Sequence, residues 1–185
     1  MNIEKDIKSI LVSEEELENI TTRLAKQITE DYKDSKRKLV ILTILKGSFV
    51  FSSDLVRKIT LPMEFEFMKV SSYGSGTISS GNLKISLDIS RDDLADLDII
   101  IIEDIVDSGF TLSNLKQYLI EKGAGSIKIC TLLDKPSRRT YPLEADYVGA
   151  VIPDEFVVGY GLDYNEQYRH LRFVGVLSPH VYANK

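Results

Sequence analysis

An α/β fold, a parallel central sheet flanked by helices, is what this sequence predicts, and three observations predict it. Short apolar runs rich in β-branched residues recur at Leu39 to Leu45, Asp98 to Ile102 and Ser126 to Leu133, as in strands buried on both faces. Segments with helical spacing lie between them, the alternation that builds parallel βαβ units. After Pro136 the pattern changes to short strands and turns, which predicts the last edge of the sheet plus a small lobe built largely by the C-terminal third. The 185 residues, 43% hydrophobic, suffice for one compact domain with a sizeable core.

The first helix is announced by Ser13 ahead of Glu14, Glu15 and Glu16, a cap followed by acids, with Glu16 at capping-box spacing. Leu17, Ile20, Leu24 and Ile28 then recur at helical intervals. The Leu39 strand is followed by Lys46-Gly47-Ser48 and a helical pattern from about Phe49 to Ile59. A strand near Phe65 to Val70 leads into the small, polar, glycine-rich stretch Ser71 to Gly81, which cannot bury much apolar surface and is expected to be a mobile loop. A further strand is expected at Leu83 to Leu87. The run Ile99-Ile100-Ile101-Ile102 is the strongest strand signal in the chain. The next helix is expected from about Thr111 to Lys122, stopped by Gly123. Tyr147 to Val151, Phe156 to Val158 and Leu171 to Leu177 are the short strands expected after Pro136.

A formal net charge of −5 disfavours general nucleic-acid binding, which needs a cationic surface. The single cysteine, Cys130, excludes an internal disulfide and reads as core within an apolar strand; with only two His, a zinc site of soft ligands is not expected. The polar N-terminus lacks the apolar stretch of a signal peptide, and no run approaches the ~20 apolar residues of a membrane helix. A cytoplasmic protein with no membrane partner is the expectation.

The informative string is Ile102-Glu103-Asp104-Ile105-Val106-Asp107-Ser108-Gly109-Phe110-Thr111. Ligands of open α/β sheets bind at the carboxyl ends of strands, and a helix start offers unpaired N–H groups and partial positive charge to an anion. Ser108 to Thr111 supply such N–H groups and two hydroxyls, and Gly109 permits close backbone approach. This is a phosphate cradle. Carboxylates beside it would repel a phosphate, so they point to sugar hydroxyls or to Mg2+, a hard cation that prefers oxygen. A ribose phosphate carrying a magnesium-bound leaving group meets both demands.

The string from Ile101 to Thr111 resembles the phosphoribosyl-pyrophosphate (PRPP) signature of the type I phosphoribosyltransferases. The resemblance runs from about Leu39 to Leu177 and is nearest to the bacterial-type hypoxanthine-guanine phosphoribosyltransferases. Ser108 stands where many relatives carry Thr, and Phe110 at a variable position. The resemblance implies a core of about residues 10–150, with a small C-terminal hood largely from about 151–185 plus the N-terminal residues. It also implies purine salvage, with hypoxanthine or guanine joined at N9 to give IMP or GMP and pyrophosphate.

Roles follow from the same resemblance. Lys46 and Gly47 would bind pyrophosphate through a loop whose Leu45–Lys46 peptide is often cis. Ser72 and Tyr73 would begin a catalytic lid over 71–81, excluding water from an oxocarbenium-like centre. Glu103 and Asp104 would hold ribose hydroxyls and Mg2+, Asp107 would be catalytic and touch PRPP, and Ser108, Gly109, Phe110 and Thr111 would grip the 5-phosphate. Lys135 would donate to the O6 of a 6-oxopurine, with Arg139 supporting the phosphate side. Phe156 would stack on the base, Val157 would read its edge through backbone groups, Asp163 would bind a second Mg2+ beside the purine, and Arg169 would hold pyrophosphate. A homodimer or homotetramer is also implied. The alternatives are a transferase for xanthine or a pyrimidine, a nucleic-acid-binding regulator using the same site as a sensor, and a structural protein, which would leave the acids at the strand end without purpose.

Overall fold

The structure, a computed structural model, describes residues 3–72 and 83–183. Its elements in chain order are α1 (Ile3–Asp6), β1 (Ile7–Val12), α2 (Glu14–Tyr32), β2 (Lys38–Ile44), α3 (Phe49–Val56), β3 (Met63–Ser72), β4 (Leu83–Leu87), β5 (Leu97–Val106), α4 (Phe110–Glu121), β6 (Ser126–Asp134), β7 (Tyr147–Val151), β8 (Val157–Val158), β9 (Val174–Leu177) and α5 (Pro179–Tyr182). The six-stranded main sheet has the order β4-β3-β2-β5-β6-β7. Five strands are parallel, and β4 closes one edge antiparallel to β3.

The four isoleucines explain why β5 is central. Successive side chains of a strand point to opposite faces. Ile100 and Ile102 pack with Leu24 and Ile28 of α2 and Phe51 and Leu55 of α3. Ile99 and Ile101 pack with Leu112, Leu115 and Leu119 of α4 on the other face. Helices cover both faces, so an unbroken apolar run is what this position requires. Fully burying each such side chain stabilises the fold by about 1.5–3 kcal/mol relative to exposure. Cys130 is buried in the same packing as α2 and α3, as its apolar neighbours predicted.

Local signals set the element ends. Glu16 N–H donates to Ser13 Oγ at 3.2 Å while Ser13 N–H donates to Glu16 Oε2 at 2.7 Å, the reciprocal capping box anticipated for α2. Helix α3 stops at Val56, three residues short of the expected Ile59, because Lys58 and Ile59 N–H turn back to the carbonyls of Leu55 and Val56 in tighter i→i−3 bonds. Strand β5 does not end before the acids: its pairing with β6 continues through Glu103↔Thr131, Ile105↔Leu133 and Val106↔Asp134. Glu103 and Asp104 therefore sit on paired backbone rather than on a loop.

A second, three-stranded sheet has the order β1-β9-β8, all antiparallel. Strand β1, not recognised as a strand from the sequence, pairs Ile7 with Leu177 and Val12 with Val174. Ser178 N–H donates to the Asp6 carbonyl at 2.7 Å, joining α1 to the start of α5. Val158, Tyr168, Leu171 and Leu177 form a separate apolar cluster beneath this sheet. Among the described residues, no helix is long and apolar enough to cross a membrane. The expected lid lies almost wholly outside the described residues: Tyr73 and 74–81 are not described, and of Ser72 only the backbone is.

Candidate active site

Strand order brings the chemistry together. β2 and β6 flank β5 on either side and run parallel to it, so three carboxyl ends lie side by side. From β2 comes the Lys46-Gly47 loop, from β5 the acids and the Asp107–Thr111 turn, and from β6 Lys135. The Leu45–Lys46 peptide is cis, as the resemblance implied. Gly47 is packed against β5 so closely that a Cβ there would lie 1.6 Å from Asp104 Oδ2. A Cβ on Gly161, which lies before Asp163, would lie 2.0 Å from the Gly47 carbonyl oxygen. The Lys46-Gly47 loop is thus clasped between β5 and the segment leading to Arg169.

Glu103 and Asp104 are half-buried, with the Glu103 Oε2 atom shut off from solvent. Burial, reinforced by the neighbouring Asp104 charge, holds the Glu103 carboxyl well above the usual carboxylate range. Burial also pushes Asp104 up to about 6, opposed by backbone N–H donors and the Arg169 guanidinium and abetted by Asp163. Asp104 Oδ1 accepts from Ile105 N–H at 2.8 Å, but buried Glu103 Oε2 and Asp107 Oδ1 have no hydrogen-bond partner among the described residues. Buried polar atoms without partners are uncommon and costly, so these carboxylates are arranged for a partner from outside the chain.

The turn after β5 has the geometry of an anion site. Gly109 has φ +83°, a left-handed conformation that glycine tolerates, and a Cβ there would meet Arg139 Cδ at 3.1 Å and Leu143 Cβ at 3.3 Å. It is the N-cap of α4, which begins at Phe110 rather than the expected Thr111 and has no side-chain cap. Phe110 N–H donates to Ser108 Oγ at 3.3 Å, while the Ser108 carbonyl accepts from Thr140 and Tyr141 N–H, pinning the turn. Arg139 pairs with Asp134 beside it and retains a buried, unpartnered Nη1.

Lys135 and Phe156 face a common cleft of about 380 Å³, lined also by Asp107, Arg138, Val157, Leu162 and Tyr182. Lys135 is only 7% exposed, and its Nζ donates to the Glu155 carbonyl at 2.6 Å. One bond leaves two of its three donors for other partners. Phe156 is 40% exposed, unusual for a large aromatic beside a buried valine, and so offers a ring face to the cleft.

Arg169 Nη1 donates to the Gly161 carbonyl at 2.8 Å; its Nη2 lies 2.9 Å from Asp163 and 3.3 Å from Glu166. Glu166 also pairs with Lys46 Nζ at 3.0 Å, so the two cations assigned to pyrophosphate share a carboxylate. Asp163 is engaged with Arg169 and with Glu166 N–H at 2.8 Å. Among the described residues, no three His, Cys, Asp or Glu side chains are grouped to hold a metal. That fits magnesium nonetheless, since Mg2+ is characteristically held by one or two carboxylates plus substrate phosphates rather than by an all-protein cage, and the unpartnered Glu103 oxygen is of the required type.

The sequence did not single out Tyr182, Arg138 or Glu166. Arg138 Nε pairs with Asp154 at 2.8 Å at the cleft. Tyr182 lies at the far end of the chain from the motifs and is brought in only by α5.

Comparison with known proteins places this geometry in context. Residues 9–165 match the family model of the phosphoribosyl transferase domain. A relative from Staphylococcus epidermidis named hypoxanthine-guanine phosphoribosyltransferase is 48% identical over 179 residues, 97% of this chain and 98% of that one. The bifunctional protein TilS/HprT of Listeria innocua is 46% identical, covering 98% of this chain and 28% of the relative. The crystal structure of a hypoxanthine phosphoribosyltransferase from Staphylococcus aureus superposes with a TM-score of 0.92 at 46% identity, covering 98% of this chain and 97% of that one.

Proposed function

From its place in the phosphoribosyl transferase family, to which this chain belongs, we infer that it is a purine-salvage enzyme. It transfers the 5-phosphoribosyl group of PRPP to N9 of hypoxanthine or guanine, giving IMP or GMP and pyrophosphate. The observation that carries this reading is the juxtaposition of the Gly109 turn, left open at the start of α4, with unpartnered carboxylate oxygens on Glu103 and Asp107.

Each group is assigned by what it can donate or accept. Ser108, Gly109, Phe110 and Thr111 hold the 5-phosphate through backbone N–H groups and hydroxyls. Glu103 and Asp104 accept from the ribose hydroxyls and would hold Mg2+, with Asp163 on a second ion. When bound, Mg2+ would neutralise charge on the departing pyrophosphate. Lys46, the Gly47 backbone and Arg169 take the pyrophosphate as Glu166 and Asp163 release them. The purine lies on the open face of Phe156, with the Val157 backbone at its edge. The spare donors of Lys135 face O6, favouring a 6-oxopurine over adenine. Asp107 accepts the N7 proton as N9 attacks the anomeric carbon. Positioning and charge stabilisation supply most of the rate, with the base adding ~10²–10⁴. A homodimer or homotetramer is part of the proposal, to be measured by sedimentation.

The test is pyrophosphate release from PRPP with hypoxanthine, guanine, xanthine and adenine, each with and without magnesium. Magnesium-dependent turnover of hypoxanthine and guanine is expected; turnover of adenine alone, or none on any base, would refute the assignment.

A further inference from the structure

The cleft contains an aromatic assembly that no sequence motif announced. The rings of Phe156 and Tyr182 are stacked, with centroids 5.1 Å apart and planes 23° from parallel. Tyr164 stands edge-on to both, 5.6 Å from Phe156 and 6.5 Å from Tyr182. Tyr164 and Tyr182 also pack against the apolar cluster of Val158, Tyr168, Leu171 and Leu177 under the smaller sheet. Phe156 is therefore held against the apolar interior of that lobe through its two ring neighbours, while 40% of it stays exposed where it lines the cleft.

We propose that Tyr182 is a positioning residue for the purine. It acts through Phe156, fixing the plane of the ring on which the base lies. The proposal rests on the assignment of the cleft to a 6-oxopurine made above. Two observations support a fixing role over incidental contact. Phe156 sits between the Glu155 carbonyl that holds Lys135 and the start of β8, so a tilt of its ring alters the spacing between stacking face and O6 donor. Tyr182 is itself secured: Ser178, at the N-terminal end of α5, donates its N–H to the Asp6 carbonyl, and Val181 N–H turns back to the Ser178 carbonyl. The end of α1 is thus tied to the start of the helix that carries Tyr182. Unsupported, Phe156 would sample other rotamers, and ordering it would be charged against base binding.

The size of the effect follows from aromatic pairing. A stacked pair contributes about 0.5–1.5 kcal/mol beyond area burial, and 1.4 kcal/mol is tenfold. Removing the Tyr182 ring is expected to raise the hypoxanthine KM about two- to tenfold while leaving the KM for PRPP unchanged. Among the described residues, no hydrogen bond or ion pair joins the phosphate turn or the acids of β5 to α5.

Steady-state kinetics of wild type, Tyr182→Ala and Tyr182→Phe on hypoxanthine and PRPP test this, with thermal melts to establish that each variant is folded. Support requires a raised purine KM in Tyr182→Ala, an unchanged PRPP KM, and restoration by Tyr182→Phe, which keeps the ring. An unchanged purine KM in a folded Tyr182→Ala overturns the proposal. So does a lowered one, which would mean that the tyrosine competes with the base for Phe156. If Tyr182→Ala does not fold, a Tyr182→Leu variant, apolar but without a stacking face, takes its place under the same criteria. Absence of hypoxanthine turnover in the wild type would instead refute the function assigned to the cleft, so the two failures are distinct.

Discussion

Replacing Gly47 by alanine should damage PRPP use far more than its small size suggests. The added methyl would stand 1.6 Å from Asp104 Oδ2 and 2.6 Å from Asp104 Cγ, whereas comfortable carbon contacts are about 3.5–4.0 Å. The carboxylate must therefore retreat by roughly 1–2 Å. It is not free to do so: Asp104 is half-buried, and its Oδ1 accepts from Ile105 N–H at 2.8 Å. Moving it breaks a hydrogen bond to a charged group, costing about 1.5–3 kcal/mol, and takes one of the two ribose carboxylates out of place. If that loss appears in transition-state binding, kcat/KM for PRPP falls by about 10- to 150-fold. Initial rates against PRPP at saturating hypoxanthine measure it, with a melting curve to confirm folding. A folded Gly47→Ala protein whose kcat/KM for PRPP stays within about twofold of wild type would show that Asp104 is not held where ribose needs it, and the reasoning would fail.

Other substitutions separate the roles. Asp107→Asn should lower kcat by ~10²–10⁴ while PRPP still shifts the melting temperature, measured by initial rates and thermal shift; turnover like wild type would remove Asp107 from proton transfer. Lys135→Ala should raise the hypoxanthine KM by about 10- to 100-fold and leave the PRPP KM alone, since it removes a charged donor at O6; equal loss on both substrates would argue for a structural role. Ser13→Ala, which dismantles the capping box far from the cleft, should cost about 1 kcal/mol, a fall in Tm of about 2–4 °C for a chain of this size, with kinetics unchanged. Gly123→Ala should also lower Tm without touching kinetics. Gly123 has φ +90° with nothing within 4 Å of a Cβ, so the cost is backbone conformation alone, about 1–2 kcal/mol.

Much of this architecture was readable because local signals agree with tertiary demands. The isoleucine run is apolar at every position because helices cover both faces of β5, and Ser13 and Glu16 carry their capping chemistry in their own side chains. What stayed hidden depends on partners distant in sequence. Strand β1 is exposed at Lys8, Ser9 and Ile10, half of its length, and becomes a strand only by pairing with β9. Glu103 and Asp104 looked like the end of a strand because they are charged, yet their backbone remains paired with β6, since charge governs where a side chain points and not whether its amide is bonded. Lys46, Lys135 and Arg169 were legible only as members of a family pattern, because a lone cation carries no sign of the carbonyl or carboxylate it will meet. Tyr182 had no such pattern to reveal it.

The pairing of Ile7 with Leu177 has a consequence for how the molecule comes into being. During synthesis β1 emerges from the ribosome before its partner β9 has been translated. Every strand of the main sheet, from β2 to β7, has been made before β9 appears. The smaller sheet has to wait, with β1 lacking its strand partner, until nearly all the intervening chain has been made, and the backing of Phe156 waits with it. A protein halted a few residues early would own a complete phosphate turn yet an unfinished bed for the base. On the assignment proposed above, competence to grip the sugar would thus precede competence to choose the purine.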